Sequence, residues 1–396
     1  MILRVFLIPR LARPVGFSSS TADGFQRGGM FSQCDAVAQC HRSLSIIVSP
    51  RKDCMATKYP KHPRYIPIIK WQSWEQKALQ KVEGAIRPQV LPCIEVRTSK
   101  QHLNLLKNLN KVWPYDALVD YADPKGRLTP VRTGELLSFM KSAVDERWPV
   151  TPVLSPADVM ATGNPFLGLA TTLGKVAVRL RIDSLIVTAA DVALTASAFS
   201  HLKAANVSAS LIIDLGVSPQ AWEDKHVADF IAAIRPLQAI GFSTLHLTSG
   251  SYPGSLASVK TGVASFERKD WKFWKAISAK APDLIIGYSD YGTLSPVWTE
   301  DILELRSSRI AIRYTRDNDW LILRADGKKA EDSVAISALL VNNYKADFKG
   351  AAYSYGDELL EERANPAISL NKKHCGHYHI TEGWSHHIAL VLKDQY

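Results

Sequence analysis

Residues 175–183, KVAVRLRID, alternate apolar side chains with charged or small ones. The apolar positions are Val176, Val178, Leu180 and Ile182, and Arg179 and Arg181 lie between them. A period of two residues predicts a β-strand with one apolar and one cationic face. A strand in a long globular chain does not bury two arginines unless that face meets carboxylates or a polar cavity. The run therefore predicts acidic partners elsewhere in the chain.

Seven further runs have strand character, and most are followed by a segment with helical periodicity. The strand runs are residues 66–70, 90–97, 116–120, 150–155, 210–214, 244–248 and 284–288. Helices are expected at residues 73–86, 100–111, 133–147, 189–205, 220–234 and 270–280. Eight strands alternating with helices over about 225 residues predict an α/β fold, a (β/α)8 TIM-like barrel. The rival, a doubly wound open sheet, needs no eighth repeat, and no Gly-rich fingerprint follows the first strand.

Two alternating runs follow the eighth strand, residues 309–315 (RIAIRYT) and 320–324 (WLILR), around the turn RDND. This arrangement predicts a β-hairpin inserted after strand 8. The helical pattern of residues 331–344 is then expected to be the eighth barrel helix, with a C-terminal extension beyond it. The hairpin would lie in a strand-to-helix loop, on the face where barrel enzymes place their sites.

Residues 1–54 differ from the rest of the chain, with seven Lys or Arg against three acidic residues and no strand or helix periodicity. Two interpretations stay open, an upstream extension before Met55 and a transit peptide. Under both, residues 1–54 are predicted to be a disordered extension outside the fold. Residues 55–396 are predicted to form a single α/β barrel domain with a C-terminal elaboration.

Composition bears on the cellular location of the protein and on the kinds of partner that it binds. No run of about eighteen apolar residues is present, which predicts no membrane-spanning helix. Outside residues 1–54 the cysteines are Cys93 and Cys375, too far apart in sequence for a disulfide framework, which favours a reducing, cytoplasmic location. The formal charge of +10 contains no Lys/Arg-rich block. The positive charge therefore permits binding to nucleic acid, but no motif in the sequence specifically predicts it.

Strand parity predicts which polar side chains share the barrel interior, because alternate residues of a barrel strand face inward. With the aliphatic face turned to the helices, the inward set is Lys70, Cys93, Glu95, Arg97, Asp116, Asp120, Arg179, Arg181, Ser210, Asp214, His246, Thr248, Tyr288 and Asp290. Most of these lie at the carboxyl ends of their strands, which we call the mouth. Two interpretations remain: a functional mouth, and a structural ion network that neutralises a buried layer.

If the mouth is functional, Glu95, Asp120 and Asp214 are the candidate catalytic residues, as general acid, general base or metal ligand. The candidate substrate-binding residues are Lys70, Arg179, Arg181, His246, Tyr288 and Asp290. Arginines beside carboxylates suit a substrate that carries phosphate or carboxylate. The tail contains His374, Cys375, His377, His379, His386 and His387, but no second ligand pair at zinc spacing. No metal site is therefore predicted, and the sequence indicates no particular cofactor.

Four motifs carry a family resemblance: YIPIIKWQSWEQKAL at 65–79, RPQVLPCIEV at 87–96, ALVDYAD at 117–123 and GWSHHIALVL at 383–392. Together they resemble the phage T4-type beta protein family, from about residue 65 to the carboxyl terminus. The resemblance implies a bacterial or phage-borne cytoplasmic protein and supplies no catalytic residues to carry over.

Two hypotheses for function follow. The first is a hydrolase or lyase that acts at the barrel mouth on an anionic small molecule or nucleotide. The alternative is a non-catalytic interaction protein of phage or mobile-element origin built on a barrel scaffold, since barrels support many functions. The sequence does not indicate an oligomeric state.

Overall fold

The computed structural model describes residues 59, 61–182, 184–217, 219, 222–297, 309–374 and 379–396. Its strands are β1 Ile66–Ile69, β2 Cys93–Glu95, β3 Ala117–Asp120, β4 Val150–Leu154, β5 Lys175–Arg181, β6 Ser208–Asp214, β7 Leu245–Ser249, β8 Gly262–Glu267, β9 Gly287–Asp290, β10 Ala311–Thr315 and β11 Asp319–Arg324. Strands β1 to β7 and β9 form a closed barrel of parallel neighbours, which confirms the (β/α)8 prediction. The predictions for residues 1–54, Cys375 and His377 fall outside the described residues.

The helices of these regions are α1 Ser73–Gln80, α2 Ser99–Val112, α3 Pro130–Asp145, α4 Pro156–Met160, α5 Leu167–Leu173, α6 Ala189–Ala204, α7 Asp224–Ala239, α8 Lys269–Lys280, α9 Ala330–Asn343, α10 Tyr355–Ala364 and α11 Ile380–Leu390. Several helices begin after a residue whose side chain accepts a backbone N–H of the first turn. Thr98, Ser155 and Thr188 are such residues. These caps satisfy donors that a helix leaves unpaired at its start. They fix where each helix begins after its strand. In the part of the chain that is described, no helix has the length and apolarity needed to cross a bilayer.

The eighth barrel helix is α11, and the prediction that it would be residues 331–344 was wrong. Trp384 and Ile388 of α11 belong to the same apolar core as the barrel strands, and α11 packs against α1. Helix α9 instead packs its Ile336 and Leu340 against the hairpin. Periodicity identifies an amphipathic helix but not the surface that it covers, and no helix was predicted from the sequence at residues 380–390.

The predicted hairpin is confirmed as β10 and β11, which pair antiparallel. A third strand, β8, completes this small sheet by pairing antiparallel with β11. Strand β8 comes from the segment between β7 and α8, so two separate strand-to-helix connections of the barrel build one sheet.

The barrel interior and the helix-facing layer form two separate apolar clusters. The interior cluster contains Ile66, Ile68, Cys93, Leu118, Val153, Ala177, Ile212 and Tyr291. Tyr288 belongs instead to the helix-facing cluster. The inward parity predicted for Tyr288 and Asp290 was therefore wrong: Leu284, Ile286 and Tyr288 pack on the helix-facing side, and Tyr291 faces the interior.

Candidate active site at the barrel mouth

Arg179 is the centre of the polar group at the mouth, and its side chain is fully buried. Its Nη1 donates to Glu95 Oε1 at 3.0 Å and to Asp120 Oδ2 at 2.6 Å. Its Nε and Nη2 donate to Asp214 Oδ2 at 3.0 and 2.7 Å, and Nη2 also meets the hydroxyl of Tyr291 at 2.7 Å. The single guanidinium therefore contacts all three predicted catalytic carboxylates.

Strand register brings these side chains to one level. Glu95 pairs with Asp120 across β2 and β3, and Arg181 pairs with Asp214 across β5 and β6. Neighbouring parallel strands point paired residues to the same face, so carboxylates far apart in sequence converge on Arg179. The acidic partners that the cationic strand face required are therefore present in the barrel interior.

Arg181 and Arg97 flank this centre. Arg181 Nη2 lies 2.5 Å from Asp120 Oδ2, and its side chain is 11% exposed. Arg97 Nη2 lies 2.6 Å from Glu95 Oε1. Arg181 Nη1 and both Nε and Nη1 of Arg97 are buried and donate to no atom of the described residues. A buried donor without an acceptor is costly, so these N–H groups indicate a place for an acceptor.

A glycine in the loop after β3 lets the backbone approach Arg181 closely. Gly126 has φ +79°, and a Cβ built there would lie 3.1 Å from Arg181 Cδ and 3.3 Å from its Nη1. The absent side chain and the left-handed backbone are both properties that favour glycine. The loop thereby confines the Arg181 guanidinium against Asp120.

Two of the carboxylates are held in the ionised state. Burial alone would raise the pKa of Asp120, but the nearby Arg181 and Arg179 outweigh it and hold that pKa well below its usual range. The pKa of Asp214 is lowered in the same way, with burial opposed by Arg179 and Arg181. Both groups are therefore anions at neutral pH, and neither has a proton to give.

Lys70 and Glu75 form the side of the mouth at β1. Lys70 Nζ donates to the backbone oxygen of Ser295 at 2.5 Å. Burial lowers the pKa of Lys70, against the opposing charges of Glu95 and Glu75. Burial also raises the pKa of Glu75 to about 7, although its carboxylate accepts the backbone N–H groups of Gln72 and Lys70. Lys70 thus connects β1 to the segment that follows β9.

Sequence parity missed Tyr291, which completes the mouth. Its hydroxyl donates to Asp214 Oδ2 at 2.8 Å while it contacts Arg179. Burial raises its pKa well above the ordinary value, so the phenol stays protonated and able to donate. The signal was present as the aromatic residue directly after the last strand, but the wrong face of that strand was assigned to the interior.

Tyr288 and Asp290 do not join the mouth. Tyr288 donates to Asp290 Oδ2 at 2.7 Å, and Asp290 also accepts from Tyr65 at 2.6 Å and contacts His387 Nε2 of α11 at 2.8 Å. These contacts attach the eighth helix to the eighth strand. His246 also lies elsewhere, at the amino-terminal end of β7, where its Nε2 is 3.0 Å from the backbone oxygen of Arg64.

The described histidines of the tail are dispersed. His374 is exposed beside Glu362, His386 contacts Asp357, and His379 contacts Arg363 and Ser333. Among the residues that the structure describes, no three His, Cys, Asp or Glu side chains are grouped to hold a metal ion. At the mouth, Arg179 occupies the space between the three carboxylates that a cation would need.

Comparison with known proteins gives a family match and distant likenesses to solved structures, two of which follow. A family model described as Beta protein matches residues 65–393. The arginine decarboxylase of Paramecium bursaria Chlorella virus, bound to agmatine, is 11% identical with a TM-score of 0.33, over 58% of this chain and 57% of that one. The hydroxymethylglutaryl-CoA lyase of Pseudomonas aeruginosa is 13% identical with a TM-score of 0.35, over 62% of this chain and 85% of that one. No curated protein matches the sequence. The two structural likenesses are too weak to bear on activity.

Proposed function

This chain belongs to the Beta protein family, and we propose that it binds a small phosphate- or carboxylate-bearing molecule at the barrel mouth and cleaves it by hydrolysis or elimination. The match over residues 65–393 confirms the resemblance drawn from the motifs. The proposal about the ligand and the reaction rests on the geometry of the mouth alone.

The observation that carries the proposal is the set of buried guanidinium donors without acceptors on Arg97 and Arg181. Each arginine uses one nitrogen to bind a carboxylate of the cluster, so the guanidinium is oriented before any ligand arrives. Guanidinium groups match the planar, two-oxygen geometry of carboxylate and phosphate. An anionic ligand would supply acceptors to these donors.

The residues then divide into different roles. Arg179 is surrounded by protein acceptors and positions Glu95, Asp120 and Asp214, so we assign it no contact with the ligand. Asp120 and Asp214, held ionised, orient the arginines. Glu95 Oε2 has no hydrogen-bond partner among the described residues, so Glu95 is the carboxylate that we assign to proton transfer.

Calorimetric titration of Arg181→Met with inorganic phosphate and adenosine monophosphate tests the binding step. Methionine keeps the aliphatic stem and removes the charge, so we expect binding of at least one of these anions to weaken by tenfold or more. Arg127→Met is the matched control. Arg127 lies beside Gly126 in the loop after β3, but its side chain pairs with Asp123 at the surface. Equal affinities in wild type and Arg181→Met would contradict the proposal. Failure of both anions to bind the wild-type protein would also contradict it.

A further inference from the structure

A cavity of about 480 Å³ lies at the opposite end of the barrel from the mouth. Its lining comes from the amino-terminal ends of the strands and the segments that precede them. Its polar lining includes Arg64, Asp116, Thr151, Lys175, Ser210 and His246. The apolar interior layer, which includes Cys93, Ala177 and Ile212, separates this cavity from Arg179. The volume is within the range of small-molecule sites.

His246 gives this cavity a buried polar atom without a partner. The residue is 2% exposed, and its Nδ1 has no hydrogen-bond partner among the described residues. Its Nε2 faces the backbone oxygen of Arg64, which can only accept, so Nε2 carries the proton. Burial lowers the pKa of His246 to about 4, which leaves the ring neutral and Nδ1 with a bare lone pair.

Contact with Gly287 fixes where that lone pair points. A Cβ built at Gly287 would lie 2.4 Å from His246 Cδ2 and 2.6 Å from its Nε2. In an imidazole ring the vertex opposite the Cδ2–Nε2 edge is Nδ1, so Nδ1 points away from β9. His246 lines the cavity, and its Nδ1 lies buried in the cavity wall. Glycine at 287 is what makes room for this ring position.

The rest of the lining defines the class of ligand. Hydroxyl groups of Thr151, Ser208, Ser210 and Thr244 can donate to or accept from a hydroxylated molecule. At the rim, Asp116 Oδ2 is 3.1 Å from Arg64, and its Oδ1 is 3.6 Å from Lys175. One carboxylate between two cations leaves one positive charge for an anionic group.

We propose that the amino-terminal cavity is a second binding site, for a small polyhydroxylated molecule with one anionic group. A ligand hydroxyl donates to His246 Nδ1, and the anionic group lies beside Arg64 and Lys175. The site is independent of the mouth, and its ligand differs from the mouth ligand in needing a hydroxyl donor.

Thermal unfolding of the full chain with ribose 5-phosphate as the probe tests the site. Binding to the native state raises the melting temperature, by roughly 2 °C at ten times Kd for a chain of this size. His246→Gln is the informative variant, because the Gln amide nitrogen takes the place of Nε2 and keeps the donor to Arg64 while Nδ1 is lost. Because the mouth is also proposed to bind phosphate-bearing molecules, the comparison is made in Arg181→Met protein, in which the mouth is weakened. We expect the rise in Arg181→Met and its loss when His246→Gln is added. Ribose or inorganic phosphate alone should give a smaller rise.

Wild type should show a rise at least as large as that of Arg181→Met, because both sites can bind the probe there. No rise in Arg181→Met would overturn the proposal, and so would an equal rise in the double variant that adds His246→Gln. A rise that disappears in Arg181→Met but not in His246→Gln would place the probe at the mouth and also overturn it. Nitrogen-15 NMR of the wild-type imidazole gives a readout that needs no variant: the Nδ1 resonance of His246 should move when the probe is added. A resonance that stays unchanged at saturation would refute the contact.

Discussion

Replacement of Arg179 by methionine is the sharpest test of how the mouth is held together. The side chain donates to Glu95, Asp120 and Asp214 and contacts Tyr291, with no exposure to solvent. Methionine fills similar aliphatic space but removes every one of these contacts. The carboxylates stay buried, so the change leaves negative charge without its central partner.

The contacts that remain set the size of the effect. Asp120 keeps Arg181 at 2.5 Å and the backbone N–H of Ala122 at 2.8 Å, and Glu95 keeps Arg97 at 2.6 Å. Asp214 keeps neutral donors, and its nearest remaining cation is Arg181 Nε at 3.9 Å. Removal of one partner of a buried ion pair costs about 3 to 5 kcal/mol, and with Asp214 as the stranded group we expect about 4 kcal/mol.

Urea unfolding followed by tryptophan fluorescence measures this free energy, with Arg181→Met as the matched variant. Arg181→Met leaves Asp120 bonded to Arg179, so we expect a cost of about 1 to 2 kcal/mol. The penalty for Arg179→Met should also shrink toward pH 4, because protonation relieves the stranded Asp214. An Arg179→Met protein that is no less stable than Arg181→Met would refute this account of the mouth.

Four further outcomes are expected. The folded-state pKa of His246 is about 4, which lies below the unfolded value of about 6.5. Between these two pH values the unfolded state binds more protons, so the free energy of unfolding should fall by about 3 kcal/mol as the pH drops through that window. His246→Gln should lack this part of the pH dependence in urea titrations. Tyr291→Phe removes the hydroxyl between Arg179 and Asp214 and should cost about 1 to 2 kcal/mol in the same assay, whereas no change would mean that the hydroxyl is dispensable. Asp290→Asn weakens the contact of β9 with His387, so it should increase the rate of amide hydrogen exchange in α11 more than in α3. Equal increases in the two helices would show that Asp290 does not attach α11 to the barrel. Deletion of residues 1–54 should leave the melting curve unchanged, since they precede the family match and show no periodicity, and a loss of cooperativity on truncation would contradict this.

The sequence predicted the mouth better than the rest of the site because strand alternation is a local property. Arg179 and Arg181 lie two residues apart in β5, so they share a face whatever the partners are. Glu95, Asp120 and Asp214 lie at or near the carboxyl ends of their strand runs, and parallel pairing then brings strand ends to one level. These four strands needed only their period and order to be interpreted correctly.

Alternation failed at the last strand for a physical reason. Barrel strands are buried on both faces, so an apolar run such as residues 284–288 does not mark its own start or its inner side. Either face of such a run can be assigned to the interior, which is why Tyr288 and Asp290 were expected in the mouth and Tyr291 was not. The packing of Tyr288 in the helix-facing cluster and the contact of Asp290 with His387, 97 residues away in sequence, show which face meets the helices.

The sequence by itself therefore determined the barrel, the hairpin and the cationic strand face, all of which follow from periods of two and 3.6 residues within short segments. The tertiary structure decided which helix closes the barrel, that β8 joins the hairpin, and that His246 lies at the end opposite Arg179. These features depend on contacts between distant segments. Local periodicity carries no information about the partner that each face meets, so they become visible only once the chain has folded.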